Sequence, residues 1–186
     1  MTAQLLPSFF AHVSATSGTL HFLESLHERP TLLKAVAYEG VPAVQEHEIG
    51  HLLGHVPEAV AHEALHFYFE GTREAYRLYP VTEARTGQGL FWEHGTLGAF
   101  DLEEDGPLPT ELMLLTADGE PRTQPPSTGE AVTVQLARDS SLPLTLGTPI
   151  EPGYSQPCES AGEALLLELR AVAPATLGLD EALDDA

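Results

Sequence analysis

The sequence predicts an α+β fold, with a helical amino-terminal half packed on a mostly antiparallel β-sheet from the carboxyl-terminal half. Three observations predict it. Residues 42–79 carry histidine, glutamate and apolar positions at helical spacing. Beyond Pro80, glycine and proline punctuate short apolar runs at strand-like intervals. The chain has 186 residues, enough for one domain to bury most of the surface its unfolded form exposes.

The elements follow in order. In TLHFLESLHE, Leu20, Leu23 and Leu26 recur at helical spacing, and Pro30 closes the segment. TLLKAVAY, residues 31–38, is short, apolar and bounded by Pro30 and Gly40, which reads as a buried strand. Proline is tolerated at a first helical position, so Pro42 and Pro57 open two consecutive helices, roughly Pro42 to His55 and Pro57 to Tyr79. Strands are expected at Gly89–Trp92, Leu97–Leu102, Glu111–Thr116, Ala131–Ala137, Leu142–Leu146 and Ala164–Val172. Ala117-Asp118-Gly119 fits a hairpin turn, and Gln124 to Ser127 a loop. The whole reads as a single α+β domain over residues 1–175, helical to about residue 80 and β-rich from 81, with an acidic tail at 176–186.

Charge narrows the partners. The formal net charge is −20, from 28 acidic and 8 basic residues, which opposes direct binding to nucleic acid or anionic membranes. The acids concentrate late: residues 1–92 hold 10 acidic and 5 basic residues, whereas 93–186 hold 18 and 3. Such an excess serves solubility, or it suits a protein that docks on a basic partner or imitates the charge of DNA. Cys158 is the single cysteine, so no internal disulfide forms, and a cytoplasmic setting is expected. The start of the chain lacks the basic residues of a secretory signal, and no apolar run is long enough to span a bilayer. Nothing selects an oligomeric state.

The chemistry-bearing segment is HEIGHLLGHVPEAVAHEALH, residues 47–66, which contains HExxH twice. On a helix, histidines four apart project from one face and can meet one zinc ion, while the glutamate between them takes a proton from metal-bound water. In the first copy His47, His51 and His55 share a face apart from Ile49, Leu52 and Leu53, as a cleft requires. In the second, His62, Glu63 and His66 fall with Glu70, Arg73, Glu74 and Arg77 on one polar arc, the pattern of a solvated helix face. A third ligand is required, and Glu70 follows His51 with eighteen residues between them.

HEIGHLLGH followed by REAYRLYP resembles the minimal zinc metallopeptidases of the ImmA/IrrE type, whose motif helix typically reads HELGHLLLH. The matching residues are His47, Glu48, Gly50, His51, Leu52, Leu53 and His55, then Glu74, Ala75 and Pro80, so the resemblance is limited to about residues 47–80. Tyr76 stands where that group usually has asparagine. The resemblance implies zinc held by His47 and His51, completed by Glu70 or Glu74, with Glu48 as general base and hydrolysis of a peptide or protein substrate. Tyr76, Tyr79 and His94 are candidate oxyanion donors. Pro57 occupies the position where a longer metzincin pattern needs histidine. Other patterns are weaker: Cys158 has no basic neighbour in YSQPCES, and Gly87-Gln88-Gly89 lacks the rest of a phosphate loop.

The leading expectation is therefore a zinc-dependent hydrolase. Its alternatives are a non-enzymatic acidic interaction protein or inhibitor, and a structural protein whose metal site only stabilises it.

Overall fold

The computed structural model describes residues 5–26, 31–38, 41–93, 95–138, 142–149 and 154–173. The acidic tail and His94 lie outside the described residues. Among the described residues fifteen strands follow the chain: β1 Phe9–Ala15, β2 Thr19–Phe22, β3 Thr31–Tyr38, β4 Val41–Glu48, β5 Leu53–Val56, β6 Leu65–Gly71, β7 Tyr76–Pro80, β8 Gln88–Glu93, β9 Thr96–Asp101, β10 Met113–Thr116, β11 Ala131–Ala137, β12 Thr145–Leu146, β13 Pro157–Cys158, β14 Glu163–Ala164 and β15 Leu167–Val172. Half of the described residues are in strands and 5% are helical. The α-helix among the described residues, α1 Leu23–Leu26, is one turn long.

The expected helical amino-terminal half is thus corrected to β-structure. The segment read as a helix from Pro42 to His55 is β4, a turn and β5. Gly50 and Gly54 would each cost a helix interior about 1 kcal/mol, and the Val41 and Val44 side chains favour an extended backbone. β4 instead pairs antiparallel with β3 along its whole length, from Thr31 opposite Glu48 to Tyr38 opposite Val41. The segment read as a helix from Pro57 to Tyr79 is irregular to residue 64 and then forms β6 and β7. Its sequence carries a period of two. In LHFYFEG, Leu65, Phe67, Phe69 and Gly71 are buried while His66, Tyr68 and Glu70 alternate with them on the outer face. YRLYP continues it, with Tyr76, Leu78 and Pro80 in and Arg77 and Tyr79 out. Buried aromatic residues at alternate positions, here Phe67 and Phe69, suit a pleated, half-buried surface better than a helix. Residues 19–26 divide between β2 and α1.

The principal sheet has the order β10-β11-β15-β1-β6-β7 and is antiparallel throughout. It interleaves the two halves of the chain, with β1 seated between β15 and β6. Tyr76 and Leu112 exchange both backbone hydrogen bonds at 2.8 Å, bringing the β7 edge against the residue that precedes β10. The sheet therefore curls round on itself. Phe67, Phe69, Tyr76, Leu112 and Leu169 fill its inner face at 0–2% exposure, and fully burying a residue of this size contributes about 1.5–3 kcal/mol.

Smaller sheets complete the same core: β2 pairs with β5, β8 with β9, and β12 lies between β13 and β14. Leu20, Leu53, Leu90 and Leu97 from these pieces join the principal cluster. Strands expected near 89–92, 97–102, 111–116, 131–137 and 164–172 correspond to β8, β9, β10, β11 and β15, while that at 142–146 shortens to β12. Gly119 adopts a φ of 86° in the turn after β10, a left-handed conformation that glycine takes without steric cost.

Arg85 locks two pieces together. It is 6% exposed, lies 3.8 Å over the Phe22 ring, pairs with Glu24 and donates from Nη1 to Gln88 Oε1 at 3.0 Å. A buried guanidinium is tolerable only when partnered in this way.

Candidate functional site

The first HExxH copy straddles a strand end. His47 and Glu48 close β4, and Gly50 and His51 form the corner of a turn that Leu52 N–H closes on the Ile49 carbonyl at 3.0 Å before β5. Successive residues of a strand face opposite ways, so the helical spacing that would aim His47 and His51 at one ion is absent. Ile49 and Leu52 are 7% and 3% exposed and pack with Leu23 and Tyr154, anchoring the turn in a second small core. The His51 ring meets Phe100 edge-on, with centroids 4.6 Å apart, and its carbonyl accepts from Ala99 N–H at 2.9 Å. Glu48 is exposed.

The two candidate third ligands sit on β6 and the turn after it. Glu70 faces outward and is already engaged: Tyr79 donates its hydroxyl to Oε2 at 2.8 Å, and Arg77 Nη1 approaches the same oxygen at 3.5 Å. Burial and the hydrogen bond to Glu70 push the Tyr79 phenol up to about 12. Arg77 Nη2 also donates to Glu111 at 2.7 Å. Glu74 is exposed in the β6–β7 turn. Glu70, Arg77 and Glu111, with Arg73, Thr72, Gly71 and Leu5, line an open cleft of about 340 Å³. Among the described residues, no three His, Cys, Asp or Glu side chains gather closely enough to hold a metal ion. His47, Glu48, His51, Glu70 and Glu74 are not brought into one cluster.

The second copy acquires partners from elsewhere in the chain. His66, on β6, stands directly opposite His12 on β1, and the rings stack with centroids 4.0 Å apart and planes 8° from parallel. His62 lies 5.3 Å from His21 of β2. Burial, and then the like charge of the partner, lowers the pKa of His66 beside His12 and of His21 beside His62. The His21 Nδ1 atom is buried with no hydrogen-bond partner. Beside this pair, His55 is 5% exposed and donates from Nε2 to the Ser17 carbonyl at 2.7 Å. Gly18 permits that contact: a Cβ there would stand 2.2 Å from the Val56 carbonyl oxygen and 2.7 Å from the His55 ring.

Neither His12 nor His21 belongs to a sequence pattern. The available signal was alternation, because FFAHVSA and LHFYFEG place aromatic and histidine residues on one strand face. Phe10 opposes Tyr68, and Tyr68 opposes Tyr79, with ring centroids 4.8 Å and 6.1 Å apart. An outer aromatic row therefore runs beside the histidine pair.

Charge is distributed unevenly over the fold. Arg77, Arg85, Arg122, Arg138 and Arg170 each pair with a carboxylate, Arg138 gripping Glu159 through two bonds of 2.9 and 2.7 Å. Asp101, at the end of β9, and Glu103, Glu104 and Asp105, in the connection that follows, are exposed. Cys158 is half-buried. Burial raises its pKa, but hydrogen bonding with Ser160 at 3.0 Å and Thr145 at 3.6 Å outweighs this and lowers it, an influence its basic-poor sequence context does not reveal.

Comparisons with protein-family models, curated proteins and solved structures found no match to this chain. No helix among the described residues is long and apolar enough to cross a membrane.

Proposed function

We propose that this chain is a non-enzymatic acidic interaction protein that docks a polycationic, lysine- and arginine-rich protein segment. The observation that carries this reading is the fate of the positive charge. Five of the six arginines whose side chains are described, all but Arg73, pair with carboxylates of the same molecule. Among the described residues, part of the formal charge of −20 therefore stands on carboxylates with no cation of their own, including the exposed Asp101, Glu103, Glu104 and Asp105. Such a surface attracts basic segments over a distance of about one Debye length, roughly 8–10 Å in physiological salt, and repels nucleic acid.

The test is binding of an oligo-arginine peptide to the full chain. Affinity falls at least about tenfold between about 50 and about 300 mM salt, as screening of exposed charges requires. The triple substitution Glu103→Gln, Glu104→Gln, Asp105→Asn weakens it further. Absence of binding at low salt, or affinity indifferent to salt, removes the proposal. Stoichiometric zinc in protein purified without a histidine tag, together with hydrolysis abolished by Glu48→Gln, would replace it with the hydrolase reading.

A further inference from the structure

His12 and His66 are brought together by strand pairing alone, on the outer face of the principal sheet. Both side chains are partly exposed, and their near-parallel rings are 4.0 Å apart. Among the described residues neither ring has a hydrogen-bond partner, so the nitrogens of both are uncommitted. Two imidazoles held side by side on a rigid backbone are nitrogen donors of the softness that first-row dications prefer.

We propose that His12 and His66 form a two-histidine binding site for a first-row transition-metal dication of the Zn²⁺, Ni²⁺ or Cu²⁺ class, with water completing the coordination shell. Metal–nitrogen bonds of about 2.0–2.1 Å put two donors on one ion about 3–3.4 Å apart. Rings 4.0 Å apart reach that separation when their nitrogen edges tilt together, exchanging the ring stack for two metal bonds. Adjacent antiparallel strands hold opposed Cβ atoms at about 4.5–5.5 Å, so this tilt needs side-chain rotation and no change of register.

The surroundings divide in sign. Glu63 is the carboxylate that acts on His66. Arg170 stands opposite His12 on β15, but its side chain is 56% exposed and Glu168 lies 3.7 Å from it. The net charge of −20 raises the local concentration of cations. The site is independent of the HExxH pattern at 47–51 and of the acidic docking surface.

The experiment is calorimetric titration of the tag-free full chain with Cu²⁺, the tightest binder of the series. The site should take one ion per chain. His12→Asn or His66→Asn should each weaken it by about tenfold or more, a loss that even outer-sphere partners of a metal ligand commonly cause. The double variant His47→Asn, His51→Asn should leave it unchanged. The unaltered protein guards against a folding defect in the variants: its Cu²⁺ spectrum in electron paramagnetic resonance carries couplings from two imidazole nitrogens, and Zn²⁺ shifts the ring resonances of His12 and His66 before those of other histidines. Binding that survives both asparagine substitutions, binding lost in the His47/His51 double variant, or His12 and His66 resonances unmoved by Zn²⁺ would each overturn the proposal.

Discussion

Residues 47–51 and 62–66 spell the same pattern fifteen positions apart, and neither forms a helix. The first ends a strand and enters a turn, with His51 against Phe100 and Glu48 in solvent. The second leads into β6, where His66 stacks on His12 and His62 approaches His21. The helical wheel favours the first as a ligand face and assigns the second to solvent, yet the second is the one whose histidines find histidine partners. A four-residue spacing is a geometric statement only while the backbone is helical. On strands, neighbours are supplied across the sheet, and their identity depends on pairing and register.

Three substitutions or conditions sharpen this contrast. The largest effect is expected at Phe67, which is 2% exposed one residue past the second copy. Phe67→Ala should destabilise the protein by about 3–5 kcal/mol in a denaturant titration, the cost of a large cavity in a packed core. A loss below about 1 kcal/mol would mean that the residues after His66 do not face the core as β6 requires.

Next is Gly54, three residues past the first copy. If that segment were helical, Gly54→Ala would stabilise it by about 1 kcal/mol. In the sheet, a Cβ at Gly54 would stand 2.1 Å from Leu23 Cδ2, and Leu23 is fully buried. The expected result is a loss of about 1–3 kcal/mol from overpacking. The sign of the change in thermal midpoint decides between strand and helix.

The smallest effect concerns acid. His21 has its pKa lowered from 6.5 by burial and by His62, so the folded state holds it neutral where the unfolded chain begins to bind a proton. Its contribution is complete above about pH 6.5 and is lost as pH falls through the lowered folded value. Thermal midpoints measured from about pH 8 to about pH 5.5 should decline, and His21→Gln should flatten the decline. An unchanged slope in that variant would assign the acid sensitivity to other groups.

Much of the carboxyl-terminal half was legible because its short apolar runs are separated by glycine and proline, and Leu167–Val172 also alternates in and out. The amino-terminal half was read against its own alternation. In LHFYFEG every second residue is buried, but histidine and glutamate at four-residue intervals imposed a helical reading on residues that also satisfy a period of two. Glu70 illustrates the consequence. Chain distance from His51 makes it a plausible ligand, whereas the sheet gives it Tyr79 and Arg77.

By itself the sequence determined the strong acidity, the impossibility of an internal disulfide and the glycine and proline punctuation of the late strands, all of which are properties of composition or of a few adjacent residues. Tertiary structure alone decided that β1 lies between β15 and β6, that Arg85 is buried against Phe22, and that His12 meets His66. The reason is physical. A strand satisfies its backbone hydrogen bonds only with another strand, so its partner is selected by burial of the whole core, and no local spacing encodes that choice.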